Sequence, residues 1–266
     1  MKIVVCVKQV PEVTNVQVDP KTGTLIREGV KSILNPFCEY ALDHAVRIKN
    51  SVPDVSIIVV TMGPTQARDV LIRCLELGAD EGILITDRKF AGADTWATSW
   101  TLAEAIRKVI PDYDLVLAGK QAVDGDTAQV GPEIAEILGL AQITYGVDVT
   151  LSNNRRQVRV TVEVEKGYEV LETSLPALVT CSKGEVVRRA PSFKDVLNAR
   201  KKPIRVVSAD DLAIPEEQLG LQGSYTQVVK VFPPPAKKSN LLLQNLESVE
   251  AAREILAFLK EKRFVE

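Results

Sequence analysis

Four short apolar stretches, each separated from the next by enough residues for a helix, constrain this chain more than any other feature. They cover residues 3–7, 55–61, 83–86 and 114–118. Continuous apolar runs of this length are typical of strands buried on both faces of a parallel sheet. Strands that alternate with helices predict a doubly wound parallel sheet with right-handed crossovers. The expected fold class is therefore α/β.

The segments between these strands carry helix signals. The first helix is expected to begin at Pro36 and continue to residue 49, and two more are expected over residues 65–77 and 94–109. Residues 16–26 contain two extended pieces around a Gly-containing turn and predict a hairpin on the first crossover. Candidate capping residues are Asn35 for the first helix and Asp94 or Thr95 for the third.

The pattern changes after residue 142. Residues 143–151, 157–164 and 168–173 alternate apolar and polar side chains, which predicts an antiparallel meander over residues 142–175. Residues 177–181 return to the pattern of a buried strand. We therefore expect an α/β domain over residues 1–203 that includes the meander.

A proline-rich stretch precedes the last part of the chain. The run Phe232-Pro-Pro-Pro predicts a stiff, extended linker, and residues 241–264 predict an amphipathic helix. We assign residues 204–266 to a C-terminal extension. Its helix must bury an apolar stripe on its own domain or on another subunit, and the stiff linker favours a partner.

A polar turn, Val123-Asp-Gly-Asp-Thr-Ala-Gln-Val-Gly-Pro-Glu133, follows the fourth strand and leads into a short amphipathic helix. Unpaired N–H groups at the start of a helix lie at the positive end of its dipole and favour phosphate. Gly125 and Gly131 leave room for close approach of the backbone, and the Thr127 hydroxyl is placed to cap the helix or bind phosphate. Any strand-to-helix turn needs glycine and a cap, so the spacing alone leaves a structural and a functional interpretation open.

Several other segments are expected to meet this turn. In doubly wound sheets, ligands bind outside the C-terminal ends of the strands, where the strand order reverses. Residues 6–9, the helix start at Asn35, the turn at Met62 and the turn at Asp124 all follow a predicted strand or face that edge. We expect them to converge on one ligand.

Composition excludes several classes of protein. The chain has 266 residues, 45% of them hydrophobic, and a formal net charge of -2, so no overall field attracts nucleic acid or an anionic membrane. Residues 183–205 are locally basic but contain Phe193 as their single aromatic, which gives nucleic acid no stacking platform. No apolar stretch approaches membrane-spanning length, and we expect a cytoplasmic location. The four cysteines are widely spaced without a Cys-x-x-Cys motif and are expected to be reduced thiols packed mostly inside, without a metal.

The chain offers no catalytic set of side chains. His44 is the single histidine, and we expect it to be half-buried or at the surface rather than a general base. No Ser/His/Asp arrangement, P-loop or Gly-x-Gly-x-x-Gly motif is present. Asp124 and Asp126 are of a type that binds magnesium, but capping alone explains Asp near a helix start. A nucleotide-binding sheet of this kind suggests that a bound cofactor supplies the chemistry.

Motifs along the chain match one known family in order. They are Val5-Cys-Val-Lys8, Val18-Asp-Pro-Lys-Thr-Gly with Gly29-Val-Lys, Asn35-Pro-Phe-Cys-Glu39, Gly78-Ala-Asp, Leu117-Ala-Gly-Lys-Gln-Ala-Val-Asp-Gly-Asp-Thr-Ala-Gln-Val-Gly131, Leu175-Pro-Ala-Leu-Val-Thr180 and Ala199-Arg-Lys-Lys. Through them the chain resembles the β subunit of electron transfer flavoproteins along essentially its whole length. Several motifs in the right order are far more specific than any one of them.

The resemblance implies a flavodoxin-like sheet, an α subunit as partner and an adenine nucleotide at the sheet edge. In simple electron carriers of the family that nucleotide is AMP, and the working FAD lies mainly on the α subunit. In flavin-bifurcating members the β subunit holds a second FAD, which takes a hydride from NADH. Its two electrons then follow different routes, to a flavin dehydrogenase and to a low-potential acceptor such as ferredoxin or flavodoxin.

The turn after the fourth strand distinguishes the two types. Simple carriers tend to have a more acidic turn followed by Asn-Gln-Thr-Gly, whereas residues 124–132 of this chain resemble the bifurcating type. The resemblance therefore favours FAD, with NAD(H) as the hydride donor or acceptor, over AMP. It places the adenosine against Cys6 and the Asn35 loop and the pyrophosphate at residues 127–131. The cofactor-binding residues it implies are Cys6, Asn35, Pro36, Phe37, Cys38, Met62, Asp124, Gly125, Asp126, Thr127, Ala128, Gln129, Val130 and Gly131.

The resemblance also implies a partner-recognition loop over residues 183–191, and the C-terminal arm would clasp the α subunit. Simple carriers have a leucine anchor in this loop, which this chain lacks, so another flavin dehydrogenase competes with the acyl-CoA dehydrogenase type as partner. The rival functions are a simple AMP-containing carrier and, more remotely, a stress-type ATP-binding protein, which would need neither meander nor arm. The implied partner-binding residues are Glu185, Val186, Val187, Arg188 and Arg189.

Overall fold

The computed structural model describes residues 1–12, 31–184, 190–229 and 244–265. The predicted hairpin at residues 16–26 and the partner-binding residues 185–189 lie outside these ranges. The helices are α1 (Pro36–Ser51), α2 (Arg68–Leu77), α3 (Thr95–Val109), α4 (Val130–Leu138), α5 (Phe193–Ala199), α6 (Ala209–Leu212) and α7 (Ser248–Glu261). The strands are β1 (Lys2–Cys6), β2 (Gln9–Pro11), β3 (Ser32–Leu34), β4 (Ser56–Met62), β5 (Glu81–Ile85), β6 (Leu115–Gly119), β7 (Ala141–Leu151), β8 (Gln157–Val164), β9 (Gly167–Ser174), β10 (Ala177–Cys181) and β11 (Ile204–Val207).

One large sheet organises the described part of the chain. Its strand order is β11-β5-β4-β1-β6-β10-β7-β8-β9. All pairs from β11 to β7 are parallel, and β7, β8 and β9 pair antiparallel. The predicted α/β class with a parallel sheet and an antiparallel meander is confirmed.

The strand β11 was not expected from the sequence. It pairs in parallel with β5 and adds an edge to the sheet. The sheet therefore continues past residue 203, the expected C-terminal boundary of the α/β domain.

Apolar layers cover both faces of the sheet. Along β1, Ile3 and Val5 pack into one core cluster and Val4 and Cys6 into the other. This alternation follows from the two-residue period of a strand and explains why the four residues of β1 after Lys2 are all apolar. Helices α1 and α2 cover the first face, and α3 and α4 cover the second.

The strand order reverses at β1. The chain passes from β1 to β4 and β5 on one side, and then returns to place β6 on the other side. Successive crossovers to opposite sides leave a crevice beyond the C-terminal ends of β1 and β6. The predicted ligand edge therefore lies between these two strands.

His44 corrects an expectation from the sequence. Its side chain is fully buried in α1, not half-buried or at the surface, and both ring nitrogens are without a hydrogen-bond partner among the described residues. Burial lowers the pKa of His44 to about 4, and Arg47 contributes in the same direction against the opposing charge of Asp148. The imidazole is therefore neutral at physiological pH.

The prediction that the cysteines lie mostly inside is confirmed, because all four are buried.

The segment after α6 returns to the start of α3 and is called here the C-terminal clasp (residues 219–226). The Thr226 amide donates to Asp94 Oδ2 over 2.9 Å, and the Asp94 amide donates to Ser224 Oγ over 2.8 Å. The ring of Tyr225 lies 5.7 Å from that of Trp96. These contacts fix the clasp to the first turn of α3.

The last helix is separated from the clasp by residues that the structure does not describe. α7 has no buried residue, and its apolar side chains Val249, Ile255 and Leu256 are exposed. Within the described residues, no helix combines the length and the apolar character needed to cross a bilayer.

Candidate functional site

A cavity of about 420 Å³ lies at the C-terminal ends of β1 and β6. Four of the expected site residues do not line it but are neighbours in sequence of residues that do: Pro36, Phe37, Asp124 and Asp126. The structure thus brings three separate sequence motifs and Met62 to one place. The expected residues that line the cavity are Cys6, Asn35, Cys38, Met62, Gly125, Thr127, Ala128, Gln129, Val130 and Gly131.

One part of the cavity is apolar. Cys6 and Ala118 are paired in register at the ends of β1 and β6, and both line the cavity. Met62, Phe90 and Leu102 extend this apolar surface. A planar heteroaromatic ring is the kind of group that such a surface accepts.

The start of α4 forms the polar part of the cavity. α4 begins at Val130 with Gln129 in the capping position, and the Gln129 side chain makes no capping hydrogen bond. Of the two roles that the sequence leaves open for Thr127, capping is excluded, because Gln129 and not Thr127 occupies the capping position. The uncapped N–H groups are free to bind an anionic ligand.

The turn before α4 has an unusual backbone. Asp126 and Ala128 have φ values of 58° and 57°, in the left-handed region that side chains with a Cβ rarely adopt. Ala128 is followed by Gln129 in the right-handed region, with φ -99° and ψ -35°. Alternating backbone conformations of this kind turn successive N–H groups into one concavity that suits an anion. Strain of this type is frequent in ligand-binding turns.

The two glycines of the turn have different roles. A Cβ on Gly125 would meet no atom within 4 Å, so this glycine leaves open space towards a ligand. A Cβ on Gly131 would lie less than 3.0 Å from Cγ2 of Thr180 on β10. Gly131 therefore permits close packing of α4 on the sheet rather than close approach of a ligand.

Asn35 connects α1 to the turn. Its side-chain amide donates to the Gln121 carbonyl over 2.8 Å and to Cys38 Sγ over 3.2 Å. Its side-chain oxygen accepts a 3.2 Å hydrogen bond from the Val123 amide. Asn35 occupies the capping position of α1 without capping it through its side chain, and Pro36 is the first helical residue as predicted. The buried Asn35 side chain is used to hold the turn.

Phe37 and Cys38 belong to the structural support of the cavity. A Cβ on Gly119, the last residue of β6, would lie 2.7 Å from both the Phe37 carbonyl carbon and the Cys38 nitrogen. Glycine is therefore required for α1 to begin directly against β6.

The two thiols in the cavity are neutral. Burial raises the pKa of Cys6 to about 12, and the neighbouring Cys38 adds to the increase. Burial also raises the pKa of Cys38, although hydrogen bonds from Asn35 and from the backbone act against it. Neither thiol is therefore activated as a nucleophile.

Among the residues that the structure describes, the charged ones that line the cavity are Lys8, Asp94 and Lys120. Lys8 Nζ lies 2.8 Å from Oδ1 and 2.9 Å from Oδ2 of Asp124. Lys120 Nζ lies 4.7 Å from the ring centroid of Tyr145. Asp94 accepts a 3.0 Å hydrogen bond from the Ala97 amide and so caps α3. Burial works to raise the pKa of Asp94, but the hydrogen bonds from Ala97 and Thr226 lower it overall.

A wall of the cavity was missed from the sequence. It runs from Phe90 through Gly92 to Thr98 and includes the start of α3. The signal was present, because the strand predicted at residues 83–86 ends at the same edge of the sheet as the other site segments.

The start of α3 also holds α4 in place. The Ser99 hydroxyl donates to Glu133 Oε2 over 2.7 Å, and the Thr95 hydroxyl donates to Glu133 Oε1 over 3.1 Å. Since Glu133 is in the first turn of α4, its carboxylate fixes the uncapped end of that helix against α3.

The comparison with known proteins identifies the family. The model described as "Electron transfer flavoprotein domain" matches residues 22–212, which is more than half of the chain. The chain belongs to the electron transfer flavoprotein family. The resemblance stated from the sequence motifs is thereby confirmed.

This electron transfer flavoprotein chain has relatives over its full length. It is 46% identical to the caffeyl-CoA reductase-Etf complex subunit CarD of Acetobacterium woodii, with 100% of both chains covered. It is 44% identical to the electron transfer flavoprotein subunit beta of Megasphaera elsdenii, covering 95% of this chain and 94% of the relative. It is 41% identical to the protein FixA of Azotobacter vinelandii, covering 93% and 90%.

Proposed function

We propose that this electron transfer flavoprotein β subunit holds FAD in the cavity between β1 and β6. With an α subunit it would accept electrons from NADH and divide them between a flavin dehydrogenase and a low-potential acceptor such as ferredoxin or flavodoxin. The observation that carries the proposal is the uncapped start of α4 beside an apolar surface in one cavity. Adenine nucleotides offer both a largely apolar ring and a phosphate, the two kinds of group that such a cavity accepts.

The residues of this chain would bind and orient the cofactor. The apolar surface around Cys6 and Ala118 would receive the adenine ring, and the N–H groups of residues 127–131 would bind the pyrophosphate. Asn35 would keep the turn in the binding conformation, because it bonds both Gln121 and Val123. Electron acceptance and donation would be supplied by the flavin itself.

The lining of the cavity fits a site in which the protein performs no acid–base catalysis. Cys6 and Cys38 are neutral thiols, and His44 does not line the cavity. The turn sequence and the identity to CarD support the bifurcating type over the AMP-containing type. By analogy with the reductase in that relative's name, the flavin dehydrogenase would be of the acyl-CoA type or a related one.

The cofactor content of the complex tests the proposal. The chain is co-expressed with its α subunit, the complex is denatured, and released FAD and AMP are counted by chromatography. We expect two FAD and no AMP per heterodimer, and bleaching of flavin absorbance when NADH is added. One FAD with one AMP contradicts the proposal and supports a simple carrier.

A variant assigns one of the flavins to this cavity. Met62→Trp replaces a half-buried side chain that lines the cavity by a bulkier indole ring, which occupies space that the cofactor would need. We expect the variant complex to lose one of its two FAD. The FAD that remains on the α subunit is the internal control, and loss of neither flavin contradicts the placement.

A further inference from the structure

The ion pair between Lys8 and Asp124 bridges the two strands that frame the cavity. Lys8 follows β1, and Asp124 lies in the turn that follows β6. Both carboxylate oxygens of Asp124 are within 3 Å of the ammonium group, at 2.8 and 2.9 Å. Lys8 lines the cavity, whereas Asp124 does not. The ammonium group is thus shared between the cavity and a carboxylate behind it.

The other charged groups of the cavity are engaged elsewhere. Asp94 is fixed by Ala97 and by Thr226 of the C-terminal clasp. Lys120 lies over the ring of Tyr145. Among the described lining residues, Lys8 is therefore the cation whose partner is a carboxylate of the phosphate-binding turn itself.

We propose that Lys8 binds a phosphate of the nucleotide and that Asp124 is its counter-ion only while phosphate is absent. The inference rests on the proposed function, because it requires a phosphorylated ligand in this cavity. On binding, the ammonium group exchanges a carboxylate for a phosphate, and Asp124 competes with the ligand for it. Asp124 is then a residue that limits affinity and so favours ligands with more phosphate charge.

The exchange costs little energy. The side chains of Lys8 and Asp124 are 48% and 29% exposed, and ion pairs with such exposure contribute little to stability. The pyrophosphate of FAD as a whole, like the phosphate of AMP, carries about two negative charges and has more acceptor oxygens than one carboxylate, so it is the stronger partner for the ammonium group. The turn that carries Asp124 is also held independently by Asn35 through Gln121 and Val123. Loss of the ion pair therefore leaves the turn in place.

Two variants separate this role from a purely structural bridge. Lys8→Met and Asp124→Asn both remove the same ion pair. If the pair only supports the turn, both variants weaken nucleotide binding. If Lys8 binds phosphate and Asp124 competes for it, the two variants change affinity in opposite directions.

The experiment is a calorimetric titration of the full chain, freed of nucleotide, with adenosine, AMP and FAD. We expect Lys8→Met to bind AMP and FAD about tenfold more weakly, as for the loss of one charged hydrogen bond. We expect Asp124→Asn to bind them about threefold more tightly, because the competing charge is gone. Adenosine carries no phosphate, so its affinity should be unchanged in both variants.

The same two strands provide a matched control at their other end. Lys2 Nζ lies 2.5 Å from Asp112, in a pair that joins the beginning of β1 to the segment before β6. Lys2→Met and Asp112→Asn remove an exposed ion pair of the same kind, far from the cavity. Both should bind AMP and FAD as the wild type does.

Each outcome decides the proposal. Weaker binding of AMP in both cavity variants, or equal weakening for adenosine, overturns the exchange and leaves a structural bridge. A wild-type chain that binds AMP or FAD, with Lys8→Met binding equally well, overturns the exchange but not the proposed function. A wild-type chain that binds none of the three ligands overturns both.

Discussion

Gly131 offers a direct test of how α4 is placed on the sheet. A Cβ at this position would overlap Cγ2 of Thr180, while its contacts to Leu178 and Ala118 would be ordinary, at 3.7 and 3.8 Å. Thr180 is buried, and its hydroxyl accepts a 3.2 Å hydrogen bond from the Tyr145 amide. The methyl group therefore cannot rotate away without losing that bond. Gly131→Ala should force α4 outwards.

The expected change in the free energy of unfolding follows from two opposing effects. Overpacking a well-packed interior costs about 1–3 kcal/mol, and a severe overlap lies at the upper end of that range. Alanine favours the helix over glycine by about 1 kcal/mol. Gly131→Ala should therefore destabilise the protein by about 2 kcal/mol. Thr180→Ser removes the methyl group, keeps the hydroxyl and should cost about 1 kcal/mol.

A double-mutant cycle measured by urea unfolding isolates the contact. When Thr180→Ser is present, Gly131→Ala meets no overlap and keeps its helical advantage. The double variant should therefore be close to the wild type in stability. It should be about 2–3 kcal/mol more stable than the sum of the two single losses predicts. AMP affinity should follow the same order, because α4 carries the uncapped N–H groups. Additive losses of stability would refute the packing argument.

Two further predictions concern buried polar side chains. Protonation of His44 should lower the free energy of unfolding by about 3 kcal/mol as the pH drops from 6.5 to 4. The reason is that the pKa of His44 is about 4 in the folded protein and 6.5 in the unfolded chain, so the stabilisation from neutral His44 is complete above pH 6.5 and is lost below it. Urea unfolding of the wild type and His44→Gln at pH 7 and 4.5 measures this, and an equal pH dependence contradicts it. Asn35→Ala should cost about 2 kcal/mol and weaken AMP binding, because the Gln121 carbonyl and the Val123 amide lose their partner. Titration calorimetry of Asn35→Ala measures the loss of AMP affinity, and Asn35→Asp, which keeps the acceptor for the Val123 amide, is the matched control. Wild-type AMP affinity in the alanine variant would contradict the prediction.

Local sequence patterns predicted most of the sheet. The buried strands could be predicted because short β-branched runs such as those in β1 and β4 are stable only when both faces of the strand are covered, as in a parallel sheet. The meander strands were visible through their alternation. Pro36 and Asp94 marked helix starts because their roles depend on neighbours within one turn. The turn at residues 123–131 was found for the same reason, since a strand, a Gly-rich turn and a helix are adjacent in sequence.

The expectations that failed concern contacts between distant segments. β11 has exposed positions and is a strand because β5 provides an edge for it. The burial of His44 depends on elements packed over α1, which no local pattern reveals. The role of Gly131 depends on Thr180, far along the chain. Asn35 does occupy the expected capping position of α1, but its side chain bonds the turn at Gln121 and Val123, a contact that no local pattern reveals.

The C-terminal clasp is connected to one wall of the cavity through Asp94. Asp94 bonds the clasp through Thr226 and at the same time caps α3, whose first residues are a wall of the cavity. The clasp and this wall of the cavity therefore depend on one carboxylate, and loss of the Asp94 side chain would release both at once.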